Sequence, residues 1–212
     1  MSQHELTPTD RPDAARGHPC VVAVVSGPQG RDCVAALLAH TPAQAPIVLL
    51  GAAAEELAGL LDGERAVWLG GPGQATGDVE RALAGLAPAD VALVTEPCLV
   101  GAEWLVRLGA AARADSSTAT ASALTDRGGP LGLAATEDPA PPNRGPAGKS
   151  PRLRPRLARA VGPCVYVRRD ALELVGGLDA GLGLADAVEV DLAQRCVLAG
   201  LGHVAADDVV VG

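Results

Sequence analysis

The chain has 212 residues, enough to bury one substantial core, and its 17 basic against 25 acidic residues give a formal net charge of −8. That balance argues against a nucleic-acid partner, whose phosphates attract a basic face, and leaves room for a small anionic ligand held by a few local donors. No apolar run approaches the roughly 18 residues that a membrane-spanning helix needs, and the five scattered cysteines, with no C-x-x-C pair, read as reduced thiols rather than a disulfide framework or a zinc site.

Residues 1–18 are polar and Pro-rich without the apolar stretch of a signal peptide, and they read as a flexible leader on a cytoplasmic protein. Residues 19–212 read as a single domain. With no Phe, one Tyr and two Trp, its packing must rest on Val, Leu and Ala, which suits strands covered by small-faced helices. The run CVVAVVSG (20–27) is β-branched and ends at Gly-Pro, the mark of a central strand buried on both faces. Val34, Leu37 and Leu38 then recur at helical spacing up to His40, where Thr-Pro stops the helix.

A second strand follows at 46–51 and a second helix through Leu57, Leu60 and Leu61. The third pair is a strand at 64–71, a Gly70-Gly71-Pro72-Gly73 turn and a helix through Val79, Leu83 and Leu86. The fourth is a strand at 90–97 and a helix through Trp104, Leu105 and Leu108. Such alternation predicts a parallel sheet built from right-handed crossovers. The rhythm breaks at 126–155, rich in Gly and Pro, which reads as a long mobile loop, a lid or an insertion. A strand resumes in AVGPCVYVRR, and GHVAADDVVV (202–211) is expected as a last short one.

The stretch GPCVYVRRDALELVGGLDAGLG, followed by EVDLAQRCVLAGLGHVAADDVVV, resembles the C-terminal half of family 2 glycosyltransferases. There a strand ends in paired Arg (here Arg168 and Arg169), a helix ends in Gly-Gly-Phe-Asp (here Gly176-Gly177-Leu178-Asp179), and acids precede Asp-Leu-x-x-Arg (here Glu189, then Asp191-Leu192 and Arg195). VVAVVSGPQGRDCVAALLAHT and ADVALVTEPCLVGAEWLVRL are similar to the family's N-terminal strand and helix and to its metal-motif strand, so the resemblance runs over about residues 20–212.

The resemblance implies a GT-A fold, α/β and Rossmann-like, with a mixed, mostly parallel sheet flanked by helices. Such a sheet would take a nucleotide-sugar donor at the carboxyl ends of its strands and transfer the sugar, with inversion, to an acceptor hydroxyl on a small molecule or glycan. It places Glu189 at the general-base position with Asp191 two residues on, and Ser26, Thr95, Glu96, Gly177, Asp179 and Arg195 at substrate-binding positions. It also implies Mg²⁺ or Mn²⁺ near Glu96. The family's Asp-x-Asp is degenerate here, reading Thr95-Glu96-Pro97-Cys98, and no acid follows the second strand in LLGAAAEE. The other expectation is therefore a catalytically inactive GT-A binding or scaffold module that partners an active transferase; a homodimer also stays open.

Each of these residues has a plainer use. Asp186-x-x-Glu189 fits a helix-capping pattern, and acids suit a first helical turn. Arg195 is spaced to pair with Asp191, and Gly176-Gly177 suits a helix C-terminus. Arg168 and Arg169 read as one solvated and one near the cleft. Arg152, Arg154, Arg156 and Arg159 read as a solvated basic patch, or as guanidinium forks for a diphosphate. His203 reads as a surface residue beside the last strand, and Cys164 and Cys196 as small hydrophobes.

Overall fold

The structure, a computed structural model, describes residues 18–51, 53–58, 60, 76–85, 89–133 and 150–212. The leader up to residue 17, the expected strand at 64–71 with its Gly70–Gly73 turn, and the middle of the 126–155 loop lie outside the described residues.

The elements in chain order are β1 (Cys20–Val24), α1 (Gly30–His40), β2 (Ile47–Leu50), α2 (Ala54–Ala58), α3 (Thr76–Gly85), β3 (Val91–Val94) and α4 (Trp104–Ala112). Then come β4 (Thr118–Thr125), β5 (Arg156–Leu157), β6 (Cys164–Val167), α5 (Arg169–Val175), α6 (Leu184–Asp186), a π-helical segment (Ala187–Leu192), α7 (Ala193–Leu198) and β7 (Gly202–Val211). The sheet runs β2-β1-β3-β6-β4-β7-β5. β1 is parallel to β2 and β3, and β4 to β7, whereas β6 is antiparallel to both its neighbours and β5 to β7. Five strands therefore share one direction, β1 to β4 and β7, against β5 and β6.

That order is the mixed, mostly parallel sheet implied by the resemblance; alternation alone predicts only its parallel strands. No helix among the described residues returns the chain between β4 and β6, so β6 starts at the rim where β4 ends and runs back. β4 has no counterpart among the strands predicted from the sequence. Its TATASALT has no apolar run to announce it, only small residues on alternate faces. Ala121 and Ala123 pack toward α4, while Thr120 and Ser122 face the other side and find polar partners in His203 and the Val161 amide.

Two cores sandwich the sheet. On one face Val21, Ala23, Ile47, Leu49, Ala92 and Tyr166 meet α1 and α4 through Val34, Leu37, Trp104 and Leu108. On the other Val22, Val24, Val48, Leu50, Leu93 and Val165 meet α3, α5 and the α6–α7 run through Val79, Leu83, Leu172, Val188 and Leu192. Adjacent residues of one strand thus serve opposite cores, which is why these strands read as continuous Val/Leu runs. Each fully buried Val or Leu contributes about 1.5–3 kcal/mol. All five cysteines are free and buried. Burial pushes the Cys20 thiol up to about 12, so it stays protonated at neutral pH and packs as a hydrophobe.

His203 is not at the surface: it is 1 % exposed. Its Nε2 lies 3.1 Å from the Ala193 carbonyl and its Nδ1 2.8 Å from Thr120 Oγ1, so it joins β7 to α7 and β4. A carbonyl only accepts, so Nε2 carries the proton and Nδ1 accepts from the threonine hydroxyl. Burial holds the imidazole below its ordinary value of 6.5, against the opposite pull of the Ala193 carbonyl. As pH falls through about 6.5 the unfolded chain gains a proton that the folded one refuses, so this group's contribution is present above that pH and lost below it. Urea unfolding should show a lower midpoint at pH 5.5 than at pH 7.5, and the difference should shrink in His203→Gln. An undiminished difference in that variant would remove the assignment.

Candidate functional site

The carboxyl ends of β1, β2 and β3 form one rim. Beyond β1, Ser26 is half-buried and Gly27 takes φ +63°. Beyond β2, Gly51 takes φ +104°, and a Cβ there would lie 2.7 Å from the Val25 carbonyl oxygen, so only glycine lets the two strand ends approach. Beyond β3, the Thr95 amide donates to the Pro163 carbonyl at 2.9 Å, tying the strand end to the segment that opens β6. Thr95 is half-buried, Glu96 exposed and Cys98 buried. Leu99 exchanges two backbone hydrogen bonds with Gly212, at 2.7 and 3.0 Å, which holds this turn against the end of β7.

Glu189 reaches the same rim from the far core. Its Oε1 accepts the Gly162 amide at 3.2 Å, one residue before the proline that binds Thr95. The helix carrying it begins at Leu184 with Gly183 as N-cap, so Asp186 and Glu189 do not form the capping box. The π-helical winding over Ala187–Leu192 is anchored by buried Ala187, Val188 and Leu192, leaving Glu189 half-buried on the opposite side. Wide turns of this kind recur at functional sites.

Asp191, two residues on, is engaged elsewhere. Its Oδ2 accepts Arg195 Nε at 3.0 Å, and Arg195 also donates to the carbonyls of Val175 and Gly177, the latter at 2.7 Å. The hydrogen bond to Asp191 raises the guanidinium above its ordinary value. This pair clips the end of α5, where Gly176 and Gly177 at φ +85° and +84° close the helix and the Gly177 amide donates to Leu172 O at 2.9 Å. The Leu178 amide donates to Glu80 of α3, and Asp179 Oδ1 accepts the Gly181 amide at 2.8 Å. Gly177, Asp179, Asp191 and Arg195 therefore build the α5–α6 corner, apart from the Thr95–Glu189 cluster.

Neither of the paired arginines lies near the rim. β6 runs antiparallel, so its last residues fall at the opposite end of the sheet. There Arg168 donates to the carbonyls of Ser116 and Thr118 at 2.9 and 3.0 Å, and Arg169 to Glu173 at 2.8 Å and Leu83 O at 3.2 Å. The Arg152–Arg159 cluster is likewise partly spoken for: Arg152 pairs with Asp208 at 2.8 Å and Arg156 with Asp115 at 3.3 Å. Asp207 accepts Ser150 Oγ and the amides of Leu153 and Arg154. Burial would raise its carboxyl, but these donors outweigh that and hold it low. A cleft of about 360 Å³ lined by Asp90, Arg113 and Tyr166 sits at the end of β1 and β3 away from the rim, so it is not part of this cluster.

The Thr95–Cys98 turn does not suit a divalent cation. Among the described residues no group of three His, Cys, Asp or Glu side chains converges to hold one. Mg²⁺ demands near-octahedral oxygen ligation, and here Glu96 is a lone exposed carboxylate. The Cys98 thiol is 1 % exposed, and its burial raises its pKa. The Pro97 carbonyl is occupied by Arg127 Nη1 at 2.8 Å. Arg127 and Gly162 escaped the sequence reading. The first lies in a Gly/Pro-rich loop with no periodicity, and the second contributes only a backbone amide.

By sequence, neither a protein-family model nor a curated protein matches the chain. Solved structures do. The crystal structure of GalNAc-T7 with UDP, GalNAc and Mn²⁺ superposes with a TM-score of 0.65 at 16 % identity, covering 93 % of this chain and 44 % of that one. The mannosyltransferase PcManGT from Pyrobaculum calidifontis, in complex with GDP-Man and Mn²⁺, superposes with a TM-score of 0.60 at 16 % identity, covering 96 % of this chain and 60 % of that one. This chain thus spans less than two thirds of either protein, and what it shares with them is the fold. No helix among the described residues is long and apolar enough to cross a membrane.

Proposed function

We propose that this chain, which has the GT-A fold of nucleotide-diphospho-sugar transferases, binds a nucleoside-diphosphate sugar at the rim of β1 to β3 and transfers the sugar to an acceptor hydroxyl. The observation that carries this reading is the Glu189 carboxylate, fixed by the Gly162 amide beside the end of β3. Solved neighbours named as a UDP and a GDP-mannose complex support the donor class, and ligands of open α/β sheets lie at carboxyl ends of strands.

In the proposed inverting reaction the acceptor oxygen bonds to the anomeric carbon, the bond from that carbon to the diphosphate breaks, and the hydroxyl proton passes to Glu189. Ser26 and Thr95 line the donor side. Gly177, Asp179 and the Asp191–Arg195 pair support Glu189 by holding the α5–α6 corner that precedes its helix. No step is routed through a metal, because the Thr95–Cys98 turn does not provide for one.

The lone carboxylate of that turn favours a second reading, a GT-A module that binds a nucleotide sugar without turnover beside an active transferase. Incubation with a panel of UDP- and GDP-sugars, with and without simple glycoside acceptors, separates the two. The transferase reading expects release of nucleoside diphosphate that an acceptor accelerates. Binding without release supports the inactive module, and the absence of any nucleotide binding overturns both.

A further inference from the structure

We infer that the diphosphate of the donor is held by the Arg127 guanidinium in place of a divalent cation, so that nucleotide binding by this chain is independent of metal. This rests on the donor site proposed above. Arg127 follows the end of β4, its amide donating to Thr125 Oγ1 at 3.1 Å. Its Nη1 donates to the Pro97 carbonyl at 2.8 Å. The guanidinium thus stands on the four-residue Thr95–Cys98 turn beyond β3. Its charge reaches under the turn, lowering the thiol values of Cys33 and Cys98 against the stronger opposing effect of burial.

A guanidinium carries five N–H donors in a rigid fork. One of them binds Pro97, and among the described residues the others meet no partner. Arg127 is exposed, so those donors face solvent at the rim. A diphosphate offers several anionic oxygens, and charge-assisted, bidentate hydrogen bonds from arginine are among the strongest that a protein makes to phosphate. The cation arrives with the chain and is fixed at both ends, so no ligand set has to be built for a metal. The same residues that make Thr95–Cys98 a poor cation site, an occupied carbonyl and a buried thiol, are those packed around Arg127.

Isothermal titration of the full chain with UDP and with GDP, in EDTA and then with Mn²⁺ added, tests this. The expected result is binding in EDTA that Mn²⁺ alters by less than about threefold, and a loss of about tenfold or more in Arg127→Gln. Arg127→Lys should recover part of that loss, because it restores the charge without the fork. Arg113→Gln removes the same charge at the end of the sheet away from the rim and should leave the affinity unchanged, and unfolding midpoints of the variants confirm that they fold. Binding that appears only with Mn²⁺, or an Arg127→Gln affinity equal to that of the original chain, overturns the inference while the donor site stands. Failure of both nucleotides to bind under either condition removes the donor site and this inference together.

Discussion

Glu189→Gln should slow sugar transfer by about 10²–10⁴-fold, the usual worth of a positioned general base, with nucleoside-diphosphate affinity unchanged. Glutamine keeps an Oε1 to accept the Gly162 amide, so the side chain stays where the carboxylate lies. Only its capacity to take a proton is lost. Asp191→Asn is the control, because its carboxylate is already committed to Arg195. That exchange weakens the clip on the α5–α6 corner and should lower stability by about 1 kcal/mol, as for a half-exposed charged hydrogen bond. It should leave the rate nearer to that of the original chain. A rate loss of that size in Asp191→Asn but not in Glu189→Gln, with Asp191→Asn still as stable as the original chain, would move the base assignment to Asp191.

Asp90→Ala should destabilise the fold by roughly 3 kcal/mol, at the low end of what losing one partner of a buried charged network costs. The Asp90 side chain is 5 % exposed. Its Oδ2 accepts the Tyr166 hydroxyl and Arg113 Nε, both at 2.8 Å, and its Oδ1 accepts the Arg169 amide at 3.0 Å. One carboxylate thus joins the start of β3 to β6, to the end of α4 and to the first turn of α5. Alanine would leave the buried Tyr166 hydroxyl with only Arg113 beside it and strand an amide at a helix start. The Arg113 guanidinium is 59 % exposed and would rehydrate, which keeps the loss at the low end. Tyr166→Phe removes one of these bonds and should cost about 1 kcal/mol. Chemical denaturation of the two variants checks the order, and a smaller loss in Asp90→Ala than in Tyr166→Phe would contradict this account. Because the network lies away from the rim, nucleotide binding by folded Asp90→Ala should be preserved.

Much of the scaffold is legible in the sequence. β1, β2 and β3 announce themselves because they are buried on both faces and so carry unbroken apolar runs, and α1 and α4 because their Val34, Leu37, Trp104 and Leu108 fall at helical spacing. β4 was not readable, since Thr120 and Ser122 are buried against partners 83 and 39 residues away in the chain. His203 was placed at the surface for the same reason: a polar side chain is buried only if something distant satisfies it, and the Ala193 carbonyl and Thr120 hydroxyl are not visible from its neighbours in sequence.

Within the candidate site the division is sharper. The order of chemical groups, Thr95-Glu96 beyond one strand and Glu189 and Asp191 ahead of a helix, is written in the chain, and so is the degenerate metal motif. Spacing already pairs Asp191 with Arg195, and the resemblance puts Glu189 at the base position. The tertiary structure adds what holds Glu189. The π-helical turn sends Glu189 toward the Gly162 amide, 27 residues away, while Asp191 falls four residues before Arg195 and is taken by it. Composition and spacing determined which side chains are present and that strands and helices alternate; the reversal of β6 decided that Gly162 meets Glu189 and Pro163 meets Thr95. Short-range preference fixes an element, but a meeting of residues from separate elements exists only when both cores have closed on the sheet between them.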